Sequence, residues 1–138
     1  MPDITLSTGT APALETERMR LRAHRLEDLD ACVAMWADPI VTRHIGGKPF
    51  TREETWSKIM RYAGHWALIP PAHGKGLATE AVRAICAWGD QNFGSTSTVC
   101  MIDPENIASA WVAKKCGYQE FRRATYKDHS TMLYRRQP

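Results

Sequence analysis

The sequence predicts an α/β (α+β) domain that contains both strands and helices. Segments that alternate charged and apolar residues are followed along the chain by segments with apolar residues at helical spacing. The 138 residues suffice to bury a core without disulfides or metal, and the hydrophobic content of 43% is ordinary for a globular protein. We expect a flexible arm over residues 1–15 and a single domain over residues 16–138.

The first half of the chain predicts one strand and two helices. Residues 17–22 alternate charged and apolar side chains, as a half-buried strand does. Residues 26–36 have helical spacing with acidic side chains in the first turn, where the helix dipole favours them. Thr51 and Glu54 have the spacing of a capping box, which predicts a second helix that runs to about residues 62–66.

The second half predicts two helices and three strands, with glycines at the helix ends. Gly94 and Gly117 each follow an apolar periodic segment, the usual place for a glycine after a helix. The predicted elements are a helix over residues 77–92, a buried strand over 96–102, a helix over 108–115 and short strands near 119–124 and 131–135.

Charge and composition narrow the class of partner. The net charge of +3 is too small to indicate nucleic acid, although it mildly favours a polyanionic small molecule. The first residues lack the basic and apolar regions of a signal peptide, and no apolar run is long enough to cross a membrane. We therefore expect a cytoplasmic protein with neither a nucleic acid nor a membrane as partner.

The cysteines do not predict a metal site. Cys32, Cys86, Cys100 and Cys116 have no metal-ligand or C-x-x-C spacing, and each lies within an apolar segment. The favoured interpretation is four buried, reduced thiols and no bound metal. A catalytic thiol at Cys100 or Cys116 is the alternative.

A glycine-punctuated turn runs directly into the helix predicted from residue 77. Pro70 and Pro71 interrupt the preceding segment, because proline fixes φ and has no backbone N–H. Gly74 and Gly76 allow a tight turn with exposed N–H groups, and the helix adds its positive dipole end. The segment therefore predicts an anion site built from backbone.

The common nucleotide motifs do not fit this turn. Thr79 stands where the dinucleotide fingerprint has its third glycine, and prolines rather than a strand precede the turn. A Walker loop would need a glycine five residues before Gly74 or Gly76 and a following Lys-Ser or Lys-Thr pair. The chain lacks the residues of both motifs, so neither a dinucleotide-binding fold nor a Walker-type nucleotide-binding fold is predicted.

The turn does resemble the signature of another family. His73-Gly74-Lys75-Gly76-Leu77-Ala78 is similar to the Gln/Arg-x-x-Gly-x-Gly/Ala motif of the GCN5-related N-acetyltransferases (GNAT). Residues 17–22, 36–43 and 106–118 resemble, in order, an opening strand, a first helix end and a fourth helix of the RimJ/RimL-like branch. The resemblance covers most residues from 16 to 136 and implies a GNAT-type mixed sheet flanked by helices.

The resemblance implies acetyl-coenzyme A (acetyl-CoA) as cosubstrate and a primary amine, on a protein N-terminus or a small molecule, as acceptor. In this family the amine attacks the thioester directly, without an acyl-enzyme. The residues implied for acetyl-CoA are Asn106 beside the pantetheine arm, Leu68 and Ile69 flanking it, and a pyrophosphate loop of His73, Gly74, Lys75, Gly76, Leu77, Ala78 and Thr79.

The chain departs from the family at the general acid. Many relatives have a tyrosine four residues before the glycine that ends the fourth helix, and this chain has Ala113 there. Ser109 is the nearest hydroxyl on the matching segment and is the candidate catalytic residue, although a hydroxyl near a helix end often only caps the backbone.

The second departure is an apparent deletion of the central strands between about residues 63 and 70. There are three alternatives. The whole protein could have a segment that this sequence omits, the gene could carry an internal deletion, or a partner copy in a homodimer could supply the strands by swapping. The alternative function is therefore a non-catalytic CoA-binding or vestigial GNAT domain. A phosphate-binding module for RNA is disfavoured, because the chain lacks sufficient charge and interleaved exposed aromatic residues.

Overall fold

Five helices and five strands are present in residues 12–61, 68–94 and 96–138, which are the residues that the computed structural model describes. Short 3₁₀ turns over Leu26–Asp28 and Pro70–Ala72 join some of them. In chain order they are β1 (Leu14–Glu15), β2 (Arg20–Leu21), α1 (Leu29–Trp36), α2 (Pro39–Thr42), α3 (Arg52–Arg61), α4 (Leu77–Phe93), β3 (Thr98–Ile102), α5 (Ile107–Lys115), β4 (Gln119–Tyr126) and β5 (His129–Arg136).

The strand predicted over residues 17–22 is shorter in the structure. Only Arg20–Leu21 form β2, which pairs antiparallel with Leu14–Glu15. The Thr16 N–H donates to the Met19 carbonyl at 2.9 Å, so residues 17 and 18 lie in the turn of this small hairpin. Of the predicted arm, residues 1–11 lie outside the described residues, and β1 lies within residues 12–15.

The predicted start of the second helix is confirmed at α3. The Thr51 N–H donates to Glu54 Oε2 at 2.8 Å, and the Glu54 N–H donates to Thr51 Oγ1 at 3.2 Å. These two bonds satisfy backbone donors that a helix start leaves unpaired. The predicted end near residues 62–66 lies outside the described residues.

The C-terminal half places α4 and α5 against one face of an antiparallel sheet with the order β3-β5-β4. Lys127 and Asp128, with φ of 48° and 64°, form the turn between β4 and β5. This left-handed backbone suits the tight turn of a twisted hairpin. The buried residues of this core are Val82, Ile102, Ala113, Cys116, Tyr118 and Tyr134.

The strand predicted to be buried over residues 96–102 is only half covered. It begins at Thr98, and while Ile102 is 5% exposed, Val99 and Met101 are 52% and 53% exposed. An apolar run cannot reveal that the described helices cover only one of its two faces. The cysteines are also less buried than predicted. All four are free thiols, but only Cys116 is buried, while Cys32, Cys86 and Cys100 are partly exposed.

The described segment between α3 and α4 contains no strand. Residues 68–76 include only the 3₁₀ turn of Pro70–Ala72, and the described strands form two separate sheets, β1-β2 and β3-β5-β4. The predicted α/β class is confirmed, and the two small sheets agree with the predicted lack of middle strands. None of the described helices is both long and apolar enough to span a membrane.

Candidate cofactor site

The glycine turn is held in shape from its N-terminal side. The His73 N–H donates to the Pro70 carbonyl at 3.0 Å, and His73 Nε2 lies 2.7 Å from the Leu68 carbonyl oxygen. Gly74 and Gly76 have φ of +71° and +73°, which is the left-handed region that favours glycine. Residues 73–76 are exposed, so a ligand can reach this backbone.

Helix α4 begins at the turn without a side-chain cap. Gly76 is its N-cap residue and has no side chain to accept from the first-turn N–H groups, which point outward from the helix start. The helix dipole places partial positive charge at the same end. Together these features give the turn and the start of α4 the backbone geometry and polarity that suit an anionic oxygen.

The β1-β2 hairpin braces this turn through Arg18. The Arg18 Nη1 donates to the Lys75 carbonyl at 2.9 Å, and its Nε and Nη2 each lie 2.7 Å from Glu80 Oε2. Glu80 Oε1 accepts from the Arg18 backbone N–H at 2.9 Å and from Thr16 Oγ1 at 2.6 Å. One guanidinium therefore joins the turn to the first turns of α4.

These donors determine the charge state of Glu80. The hydrogen bonds from the Thr16 hydroxyl, the Arg18 N–H and the Arg18 guanidinium hold the pKa of Glu80 below its usual value. Glu80 is therefore ionised at neutral pH, although it lies beside a candidate anion site. Its charge is matched by Arg18, so it does not leave the site with an unpaired carboxylate.

A cleft of about 400 Å³ opens between the hairpin and helices α4 and α5. Gly76 and Thr79 line it, together with the cationic side chains of Arg18, Arg83 and Lys115. The Arg83 Nη2 donates to the Lys115 carbonyl at 3.1 Å, which ties α4 to the end of α5. The cleft carries more cations than carboxylates and adjoins the turn.

The start of α5 contains the other predicted site residues. Asn106 caps this helix, because its Oδ1 accepts from the Ser109 N–H at 3.1 Å. This bond uses the amide oxygen and leaves the Nδ2 donors of Asn106 available. The side chain of Ser109 is partly buried. Both residues therefore lie within one turn of each other, at the positively polarised end of α5.

The structure places the predicted residues in three groups. Residues 73–79 form one turn and helix start, and Asn106 and Ser109 lie together at the start of α5. Leu68 is partly buried and Ile69 is 48% exposed, and both precede the 3₁₀ turn. Their assignment to acetyl-CoA remains a prediction. Thr79 is 9% exposed, and its carbonyl accepts from Cys116 Sγ at 3.6 Å.

Sequence reasoning missed two long-range pairs near these groups. One is Arg18 with Glu80, and the other is His44 with Asp103, where Nδ1 lies 3.1 Å from Oδ2. Partial burial acts to raise the pKa of Asp103, but hydrogen bonds from the Glu105 N–H and from His44 lower it. The partners are 62 and 59 residues apart, and no local pattern in the sequence marks either pair.

Comparison with known proteins finds that the chain is similar to acetyltransferases. A family model described as an acetyltransferase (GNAT) domain matches residues 62–119. The curated protein "Uncharacterized N-acetyltransferase p20" of Bacillus licheniformis is 23% identical over 146 residues, covering 78% of this chain and 82% of its own length.

Two solved structures share the fold. An acetyltransferase from Agrobacterium tumefaciens has a TM-score of 0.79 and 22% identity, covering 92% of this chain and 95% of its own. RimL, a ribosomal L7/L12 α-N-protein acetyltransferase in complex with coenzyme A, has a TM-score of 0.74 and 14% identity, covering 91% of this chain and 98% of its own.

The match to p20 contains positions that this chain does not fill. It runs over 146 positions, whereas 78% of 138 residues is about 108 residues, so about 38 positions have no residue of this chain. The family-model match over residues 62–119, the curated relative and the shared fold all agree with the glycine turn at the start of α4: the chain is similar to the acetyltransferases of the GNAT family and has their fold.

Proposed function

We propose that this chain is an acetyl-CoA-dependent acetyltransferase of the GNAT type. It would transfer the acetyl group of acetyl-CoA directly to a primary amine. The observation that carries the proposal is the turn at the start of α4, where Gly74 and Gly76 adopt left-handed φ and the helix has no side-chain cap. Such a backbone can bind the pyrophosphate of CoA through N–H groups, independently of any side chain.

The remaining cofactor contacts are proposed from the family resemblance. The backbone of residues 73–79 would bind the pyrophosphate, with the Thr79 hydroxyl as an added donor. The Nδ2 of Asn106, which is not used in capping α5, would donate to the pantetheine arm. Leu68 and Ile69 would flank that arm where the chain approaches the turn.

In the proposed reaction, the lone pair of the neutral amine attacks the thioester carbonyl carbon and forms the new C–N bond. The tetrahedral intermediate collapses, the C–S bond breaks, and the amine loses its proton to a base. Ser109 is the candidate general acid that gives its hydroxyl proton to the departing thiolate. The serine then regains a proton through solvent, which balances the proton that the base takes from the amine. Ser109 lies one helical turn from Asn106, the residue proposed to hold the pantetheine arm.

The acceptor is proposed by class. RimL acts on the α-amino group of a ribosomal protein, which favours a protein N-terminus, and a small amine is the other option. We further propose a cytoplasmic location, no nucleic acid or membrane partner and no bound metal. A homodimer would allow a partner copy to complete the sheet.

A second candidate is a non-catalytic CoA-binding domain. It is favoured by the described segment over residues 68–76, which contains no strand where relatives have their central strand. The turn would then still bind CoA, but no strand would hold the acetylated arm beside an acceptor.

Acetyl transfer separates the two candidates. The purified chain is incubated with acetyl-CoA and an acceptor panel of a peptide with a free N-terminus, a polyamine, an aminoglycoside and small amines. Because the chain has four free cysteines, CoA release is measured by chromatography rather than by a thiol reagent. The N-acetylated form of the same peptide is the matched control.

Acetylated product in equal amount to released CoA supports the enzyme. CoA binding by calorimetry without product from any acceptor supports the non-catalytic domain. Absence of both binding and product would contradict both candidates.

A further inference from the structure

We propose that Arg18, anchored by Glu80, is a positioning residue that fixes the Lys75–Gly76 peptide so that its N–H faces the bound cofactor. The inference rests on the proposed pyrophosphate site and names the side chains that keep this site in its binding form. Arg18 lies in the β1-β2 hairpin, far in sequence from the turn that it contacts.

The Lys75 carbonyl and the Gly76 N–H belong to the same planar peptide. The Lys75–Gly76 peptide is trans, and in a trans peptide the C=O and N–H bonds point in opposite directions. The Lys75 carbonyl accepts from Arg18 Nη1 at 2.9 Å. The Gly76 N–H is therefore directed away from Arg18, and its direction is set by this one hydrogen bond.

Without Arg18, the Lys75–Gly76 peptide would be free to rotate. Gly76 has φ of +73°, and glycine populates positive and negative φ about equally. A rotation of the peptide plane is therefore open to this position. The rotated form would present the Lys75 carbonyl oxygen, rather than the Gly76 N–H, to an anionic ligand.

The guanidinium of Arg18 is itself held in one orientation. Its Nε and Nη2 both contact Glu80 Oε2 at 2.7 Å, which fixes the plane of the guanidinium. Glu80 is in turn held by the Thr16 hydroxyl at 2.6 Å, and its side chain is 19% exposed. A lysine at position 18 would keep the charge but could not bridge Glu80 and the Lys75 carbonyl with one planar group.

The test compares Arg18→Lys with Arg20→Lys. Arg20 lies on the same hairpin and pairs with Glu15 at 3.1 Å, and both of those side chains are more than 60% exposed. Calorimetry measures the CoA affinity of each folded variant, with its melting temperature as a check on folding. We expect Arg18→Lys to bind CoA about 10- to 100-fold more weakly, the usual effect of losing one hydrogen bond to a charged group, and Arg20→Lys to bind unchanged.

Glu80→Gln distinguishes positioning from direct contact with the ligand. If Arg18 positions the peptide, loss of its charged anchor weakens CoA binding. If Arg18 binds the phosphate directly, Glu80→Gln leaves it free to do so and removes a nearby negative charge, so binding stays equal or becomes tighter. The second result would overturn the inference.

Two further readouts report on the peptide rather than on stability. In the unsubstituted chain, the Gly76 amide signal in a ¹H–¹⁵N spectrum should shift strongly on addition of CoA, and in Arg18→Lys it should shift little. In steady-state kinetics, the KM for acetyl-CoA should rise while kcat at saturation stays within about twofold. The amide measurement tests the inference even if Arg18→Lys does not fold.

Different experimental results would contradict the proposed function and the positioning role of Arg18. If the unsubstituted chain binds no CoA, the proposed function is wrong and the inference falls with it. If it binds CoA but Arg18→Lys binds equally well, or the Gly76 amide does not respond to CoA, only the positioning role is wrong.

Discussion

Two of the left-handed glycines, Gly74 and Gly47, allow the stability and binding roles of the turn to be separated. Their φ values are +71° and +74°, and a Cβ added at either would meet no atom within 4 Å. Alanine at either position is therefore strained only by its backbone, at about 1 to 2 kcal/mol. For a chain of this length, that free energy lowers the melting temperature by about 3 to 7 °C.

Only Gly74→Ala should also lose affinity for CoA. The added methyl group would stand where a pyrophosphate approaches the backbone, whereas Gly47 belongs to the loop before α3 and is not a residue of the turn. A tenfold loss of affinity reduces ligand stabilisation by about 1.4 kcal/mol at the same CoA concentration. The thermal shift caused by CoA should therefore be about 4 to 5 °C smaller in Gly74→Ala than in Gly47→Ala.

The assay is differential scanning fluorimetry with and without CoA, supported by calorimetric titration. Without CoA, Gly74→Ala and Gly47→Ala should have equal melting temperatures, which shows that the two substitutions cause the same backbone strain. If both variants show the same thermal shift with CoA, the turn does not bind the cofactor, and the central observation behind the proposed function is wrong.

The remaining predictions concern catalysis, pH and packing. Ser109→Ala should lower kcat about 100-fold without changing CoA affinity, since a positioned proton donor typically contributes this much, and an unchanged kcat in steady-state kinetics would remove Ser109 from the mechanism. The two hydrogen bonds from Arg136 hold the pKa of Asp90 below its usual value of 3.8, so the pair stabilises the fold above that pH and the contribution disappears as the pH falls through the lowered folded value. Urea unfolding between pH 6 and pH 3 should therefore show a weaker pH dependence in Asp90→Asn, and an identical dependence would contradict the assignment. Ile102→Ala should cost about 2 to 5 kcal/mol in the free energy of unfolding, whereas Val99→Ala in the same strand should cost less than about 1 kcal/mol, and an equal cost would show that the exposed face of β3 is covered in solution.

Local signals in the sequence predicted local structure well. The capping box of Thr51 and Glu54 forms as predicted, because both of its hydrogen bonds lie within four residues. The start of α4 at residue 77 and its end at Gly94 were predicted for the same reason, since glycine conformation and helix ends are decided by neighbouring residues.

Properties that depend on distant packing were not predicted. The apolar run over residues 98–102 carries no information on how many of its faces the helices cover, so the burial predicted for Val99 and Met101 was wrong. The turn at residues 73–76 was recognisable from its glycines, but its brace was not. Arg18 appears in the sequence as one basic residue of an alternating strand, and only the fold brings it to Glu80.

The contact between Arg18 and Glu80 has a consequence for the order of folding. It closes a loop of 62 residues, and contacts of such separation form only after the chain has lost much of its entropy. The glycines and helix α4 can form early, but the brace is complete only when the N-terminal hairpin has docked. Competence to bind CoA would then appear late, and a fragment that begins after β2 would keep every residue of the turn while lacking the side chain that sets its amide. CoA affinity would therefore report on the integrity of the whole chain rather than on the turn alone.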